Sequence, residues 1–183
     1  MNDRITEFTY RPIADKRRAL PPFFALLTVS AVLVALATFL PSYKGVVSFV
    51  AMLFLCATVL IFTRYYIADF FYSVVVSNDG DAHFLVSRVT GQRESLMCTL
   101  PLSSIVAVEF KAGDAAKKYK PSPSAKKYNF VPDYKPEAFF VIFASGKEGT
   151  SEIMIYGTPE LAERLKEYAK TERERKLREG EEE

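Results

Sequence analysis

Two apolar stretches, ALPPFFALLTVSAVLVALATFL (Ala19–Leu40) and GVVSFVAMLFLCATVLIFT (Gly45–Thr63), are separated only by Pro41-Ser42-Tyr43-Lys44. Neither carries a formal charge, and neither has a polar face. At about 1.5 Å of rise per residue, some 20 helical residues cover a hydrocarbon core about 30 Å thick. The pair is therefore expected to form a transmembrane helical hairpin over residues 19–63 rather than helices lying on a membrane surface. Two buried core helices are the competing reading, but a chain of 183 residues has little left with which to wrap both. Pro21 and Pro22 stand at the entrance, where a missing backbone donor costs least. Ala25, Ala31, Ala35 and Ala51 are the small residues expected to let the helices approach. Ser30, Thr38, Ser48 and Thr58 are expected to satisfy local backbone groups.

The flanks give an orientation. Lys16, Arg17 and Arg18 precede the first stretch and Arg64 closes the second, while the turn supplies only Lys44. The positive-inside tendency places both flanks on the cytoplasmic side of the cell membrane. The expected division is a cytoplasmic N-terminal tail (1–18), the hairpin (19–63), a cytoplasmic domain (64–170) and a charged C-terminal tail (171–183). Ala35-Leu36-Ala37 has the small-residue pattern of a signal-peptide cleavage site, but the apolar run is nearly twice the usual core of such a signal. No charge lies inside either helix, so a conduction path through this pair alone is not expected.

Beyond the hairpin, residues 64–183 carry 18 basic and 19 acidic side chains and are nearly neutral, so the overall positive charge comes from the N-terminal tail and Lys44. No global basic field is present, and no nucleic-acid partner is expected. Cys56 and Cys98 lie in different environments without CxxC spacing, which argues against a disulfide or a thiol metal site. His83 is the single histidine, so three-histidine and Cys/His zinc sites are excluded. No phosphate-binding glycine loop, HExxH or G-x-S-x-G occurs. Asp79 and Asp81 are close neighbours, but the turn that carries them is explanation enough. Asp69 is placed to pair with Arg64, and a solvated acid beside the membrane is an equally ordinary reading. No catalytic residue, cofactor or metal is expected.

From Tyr65 the periodicity becomes that of strands. Phe70, Tyr72, Val74 and Val76 alternate before the turn signal Asn78-Asp79-Gly80. Phe84, Val86 and Arg88 share one side of the next strand, and Thr90-Gly91-Gln92 turns the chain again. Ser95–Leu100 forms a third strand ending at Pro101, and Ile105, Val106, Val108 and Phe110 a fourth. A short fifth covers Lys127–Val131. Ala138–Ala144 (AFFVIFA) is the most hydrophobic and is expected to be central, and Glu152–Tyr156 alternates. Thr158, Pro159 and Glu160 open a helix with an N-cap, a first-position proline and first-turn negative charge. Its stripe of Leu161, Leu165 and Tyr168, helped by Ala162 and Ala169, fades after Ala169. The remainder is expected to be a fraying, solvated helix with spaced pairs such as Glu172/Lys176, followed by an acidic tail. The fold class is thus α+β, with about seven antiparallel strands in a barrel or sandwich capped by a C-terminal helix.

TLPLSSIVAVEF (Thr99–Phe110) and YGTPELAERLKEYA (Tyr156–Ala169), behind a two-helix hairpin, resemble bacterial pleckstrin-homology-like (PH-like) membrane proteins. The first looks like that family's passage into its fourth strand, the second like its last strand turning into the closing helix. The resemblance covers about residues 65–170 and implies a scaffold that binds protein segments or lipids, usually without enzymatic activity.

One patch remains. KAGDAAKKYKPSPSAKKY (residues 111–128) sets six lysines against Asp114, and Pro121-Ser122-Pro123-Ser124 works against a long regular element. Lys117, Lys118, Lys120, Lys126 and Lys127 are the candidate contacts to an anionic lipid surface, with Tyr119 and Tyr128 at headgroup level. A soluble, lysine-rich insertion is the plainer explanation. The turn Ser77–Ala82 is acidic where eukaryotic relatives of the fold commonly use basic residues, which counts against a phosphoinositide site; Arg88 and Arg93 remain for a different anionic site. The leading expectation is a membrane-tethered, non-enzymatic module that offers an edge or groove to a protein partner. Anionic-lipid sensing through 111–128 is the alternative. A membrane enzyme of unrecognised class, which would need polar residues converging in a deep cleft, comes third.

Overall fold

The computed structural model describes residues 5–13, 15–78, 80–146 and 149–181. The chain divides into two compact units, Ala14–Asp69 with Asp133–Lys135, and Met1–Ile13 with Phe70–Pro132 and Pro136–Glu183.

In the first unit a single 3-10 turn, Lys16–Ala19, is capped by Asp15, whose carboxylate accepts from the Arg17 N–H at 3.2 Å. It leads into α1 (Leu20–Phe39), a short turn at Pro41–Tyr43 and α2 (Lys44–Phe62), which widens into a π turn at Thr63–Ile67. Both helices are long and apolar enough to cross a membrane. Phe23, Leu26, Ser30, Leu33 and Ala37 turn inward at alternating three- and four-residue spacing, and Ala51, Phe54, Thr58 and Ile61 do so on α2. That is the seam of two antiparallel helices packed through small residues. The Ser30 hydroxyl donates across it to the Ala51 carbonyl at 3.0 Å, while Thr58 bonds back to Phe54 at 2.8 Å. Of the alanines expected at the contact, Ala51 is buried, but Ala25, Ala31 and Ala35 face outward. Alanine is so frequent on α1 that only the seam spacing selects Ala37. Large side chains such as Val32, Phe39, Phe49 and Leu60 are exposed.

The ends of the helices are held together by ring contacts and charge. Phe23 lies 5.3 Å from Phe62, which stacks on Tyr66 at 4.9 Å. Lys16 pairs with Asp69 at 3.1 Å. Asp133 accepts from the Asp15 N–H at 2.8 Å, and Tyr134 meets Tyr65 edge-on at 5.5 Å.

The second unit holds two four-stranded sheets. Sheet 1 has the order β1 (Ile5–Tyr10), β2 (Ala68–Val76), β3 (Ala82–Thr90), β4 (Arg93–Pro101). Sheet 2 has the order β5 (Ile105–Ala112), β7 (Ala138–Gly146), β8 (Gly149–Ile155), β6 (Lys126–Asn129). The sheets form no closed barrel; the arrangement is sandwich-like. Among the described residues there are eight strands, one more than expected, because the tail before the hairpin supplies β1. β1 pairs antiparallel with β2, with Tyr10 opposite Tyr72 and Ile5 opposite Val76. The hairpin is thus inserted between two paired strands. β6 departs from the antiparallel expectation as well, since it runs parallel to β8 with Lys127 opposite Glu152. A short strand that arrives by a long loop need not reverse direction as a tight turn would force it to.

The core lies between the sheets. Phe70, Tyr72 and Val74 of β2 and Phe84 and Val86 of β3 meet Phe140 and Ile142 of β7 and Ile153 and Ile155 of β8, and Leu161, Leu165 and Ala169 of α4 (Pro159–Glu181) fill the remaining gap. β7 is apolar throughout because it is covered on both faces. Its other side, Phe139 and Val141, is buried under Ala116 and Val131. Gly157 has no alternative at the entry to α4: a Cβ there would stand 2.5 Å from Phe140 and 2.7 Å from Leu161.

α4 runs as continuous helix to Glu181, and most of its end beyond Ala169 is exposed as expected, with Glu172 the exception. Glu172 takes the next position of the buried stripe after Ala169 and is itself buried. A carboxylate can occupy it because the Ala82 N–H and Arg175 supply its hydrogen bonds.

Tyr72 ties the sheets across this core. It is fully buried, its hydroxyl donates to the Phe130 carbonyl at 2.9 Å and accepts from the Tyr156 N–H at 3.2 Å. Tyr72→Phe keeps the ring but strands a buried carbonyl and N–H. We expect a loss of about 1–3 kcal/mol, measured as a lower denaturant midpoint with an unchanged slope in detergent-solubilised protein.

Candidate functional site

The lysine-rich segment is built onto the outer face of sheet 2. β5 ends at Ala112, and Gly113 (φ +57°) turns the chain into the single helical turn α3 (Asp114–Lys118). The Gly113 N–H is satisfied by the Glu137 carbonyl at 2.9 Å. Ala116 then sits over Phe139, Val141 and Val131, and the Tyr119 ring packs edge-on against Phe139 with centroids 5.7 Å apart.

Beneath the segment lies Glu152, a carboxylate that is only 4% exposed on β8. It accepts from the Tyr119 hydroxyl at 2.7 Å and from the Ser122 N–H at 3.0 and 3.2 Å. Burial, and then the bond to Glu152, push the Tyr119 phenol well above its ordinary range. Tyr119 therefore points into the fold, not outward to headgroup level as expected. Tyr128 is exposed.

The five candidate lysines are all exposed, but they do not share one face. Lys117, Lys118 and Lys120 belong to α3 and the turn after it. Lys127 is in register with Glu152, on the same face of sheet 2 as that segment. Lys126 lies on the opposite side of β6, since neighbours in a strand alternate. It lines a groove of about 250 Å³ with Leu100, Ser104, Tyr128 and Ala144. Lys117 pairs with Asp114 at 3.7 Å; Lys111 pairs with Glu109 at 2.6 Å and sits over the Tyr119 ring at 6.0 Å.

The other candidates resolve into structural roles. Asp79 lies outside the described residues. Asp81 is engaged by α4: Arg175 reaches it at 2.9 Å and Lys176 at 3.2 Å. Lys176 thus leaves Glu172, its expected partner, to Arg175 at 2.7 Å. The acidic first turn is a docking point for the helix. His83 has its Nδ1 3.2 Å from the Asp81 carbonyl and lines a cavity of about 60 Å³ with Val75 and Leu85. Arg93 is exposed at the start of β4, whereas the Arg88 Nε is buried with no hydrogen-bond partner among the described residues. Cys56 and Cys98 are both free, and burial raises the Cys98 thiol above its usual range. Among the described residues no three His, Cys, Asp or Glu side chains are grouped to hold a metal ion.

Glu152 and Glu172 are what the sequence reading missed. A lone acid in a strand, or in a helix bearing many charges, carries no pattern that marks it as buried. The register does carry a signal: Glu172 falls three residues after Ala169 on the apolar stripe.

Hydrogen bonds from Arg175 hold the Glu172 carboxyl below its usual range, and bonds from Lys176 and Arg175 do the same for Asp81. A depressed carboxylate contributes stability that is full above its ordinary pKa, about 4, and is lost as pH falls through the depressed value. The protein is therefore expected to lose stability between about pH 5 and pH 3, with faster amide exchange at Ala82 and residues 172–176. Glu172→Gln should flatten that dependence while lowering stability at pH 7.

Comparison with protein-family models, with curated proteins and with solved structures finds no match for this chain.

Proposed function

We propose that this chain is a membrane-tethered, non-enzymatic interaction module: a hairpin in the cell membrane holding a PH-like β domain on the cytoplasmic side, with both termini there. The observation that carries the reading is the insertion of the hairpin between paired strands. Because Tyr10 lies opposite Tyr72, both ends of the hairpin return to one sheet, and a bilayer crossed twice is the arrangement compatible with that. Outward-facing valine, leucine and phenylalanine on both helices find an apolar solvent in lipid. Lys16, Arg17, Arg18 and Arg64 set the cytoplasmic side. Two sheets with a closing helix, and no convergent cluster of catalytic groups among the described residues, favour binding over chemistry.

The surface best suited to a protein segment is β4. It is an edge strand with exposed backbone groups, and Leu96 and Met97 are 54% and 46% exposed. Such an edge accepts an added strand through main-chain hydrogen bonds. Two measurements test this reading. Protease added to inverted membrane vesicles should degrade the β domain, and protease added to intact cells should spare it; the reverse result overturns the orientation. Crosslinking of the full-length protein in native membranes should capture a partner that is lost in a Leu96→Lys, Met97→Lys variant. Capture that depends on the hairpin alone would move the function into the membrane.

A second reading, contact with the anionic surface of the same membrane, is favoured by one observation. The lysine segment is clamped onto the sheet by Glu152, so its lysines are presented from a fixed base. Each basic residue near an anionic leaflet contributes about 1 kcal/mol, and a domain tethered to that leaflet needs little affinity to reach it.

A further inference from the structure

We infer that Glu152 is the positioning residue that turns the 111–128 segment into a fixed basic platform for an anionic lipid surface; the inference rests on the lipid-contact reading. The carboxylate lies on the outer face of β8, with Phe143 of β7 and Lys127 of β6 opposite it in register, and is only 4% exposed. Burying a charge there is costly unless its oxygens are fully engaged. Among the described residues its hydrogen-bond donors come from the lysine segment: the Tyr119 hydroxyl and the Ser122 N–H. Pro121 and Pro123 flank Ser122 and have no N–H of their own, so the amide between them is the donor the turn can offer.

Two attachment points three residues apart fix the turn that carries Lys120, and α3 with Lys117 and Lys118 runs directly into it. Lys127 enters from the other side through the β6–β8 register. Lys126, across the strand, is not part of the platform. Four lysines are thereby arranged around one internal anion, which draws the segment down without reaching the surface. The anionic occupant follows from the charge of these side chains and from the tether, which keeps the domain at a bilayer. Freed from Glu152, the same lysines would be spread over a loop and would pay conformational entropy on binding.

Trypsin cleaves after lysine, so the platform reports on itself. The full-length protein is placed in nanodiscs of phosphatidylcholine, or of equal parts phosphatidylcholine and phosphatidylglycerol, and cleavage after Lys117, Lys118 and Lys127 is timed. In phosphatidylcholine, Glu152→Ala should accelerate these cuts on the order of ten-fold, while cleavage after Lys166 and Lys170 in α4 stays unchanged. Glu152→Gln, which retains an acceptor, should restore much of the protection. Tyr119→Phe, which keeps the ring, should give an intermediate rate. In the phosphatidylglycerol discs the wild-type cuts should slow several-fold and recover at high salt, and Glu152→Ala should lose most of that slowing. Unaltered cutting in Glu152→Ala, or equal acceleration in α4, overturns the positioning role. A clamp that loosens as described in a wild type indifferent to phosphatidylglycerol overturns the lipid reading and leaves Glu152 as a fastening of the fold.

Discussion

The pairing of β1 with β2 is the constraint on which the rest depends. It brings residues from before and after the hairpin into one sheet, with Tyr10 stacked on Tyr72 at 6.3 Å. Tyr72 carries the connection onward, since its hydroxyl reaches Phe130 and Tyr156 on the far side of the core. A single side chain thus links the strand that leaves the helices, the segment that enters α4 and the loop that precedes β7. Segment 133–135, which belongs with the helices, follows Phe130 by three residues. The chain consequently passes between the two units four times, at 13/14, 69/70, 132/133 and 135/136.

Sheet 2 explains why the lysine segment is ordered at all. A strand buried on one face would read as alternating, but β7 reads Ala-Phe-Phe-Val-Ile-Phe-Ala, and both of its faces need cover. Sheet 1 and α4 supply it on the inside, and Ala116, Tyr119 and Val131 supply it on the outside. The segment is therefore a lid on the sheet whose inner side is apolar and whose outer side is basic. Glu152 is the polar fastening within that lid, as Glu172 is the polar fastening of the closing helix. Each satisfies a backbone N–H, that of Ser122 in the turn after α3 in one case and that of Ala82 at the start of β3 in the other.

Much of this architecture is legible in the sequence because it is written in periodicity. The two uncharged runs give α1 and α2, the alternation of Phe70, Tyr72 and Val74 gives β2, and Thr158-Pro159 gives the start of α4. What is hidden involves partners distant along the chain. β1 is short, and Phe8 and Tyr10 alternate weakly between charged neighbours; only the strand beyond the hairpin gives them a surface to pack on. The parallel run of β6 depends on a loop geometry that composition does not encode. Glu152 and Glu172 read as solvent-facing because their charge is weighed before their register. The candidate lysines were legible as a charged run, but their division across β6, with Lys126 set apart from Lys127, required the strand to be placed.

The insertion of two helices between paired strands has a consequence for how the protein is made. β1 is synthesised first and has no neighbour until both helices have followed it. Closing so long a loop costs entropy that grows with the logarithm of its length, but α1 and α2 shorten the effective loop once they associate. The Phe23–Phe62 contact then brings the two exits side by side. Association of the helices becomes a step in assembling the β-sheet, and a substitution in the seam between them would slow the maturation of strands far from it in sequence.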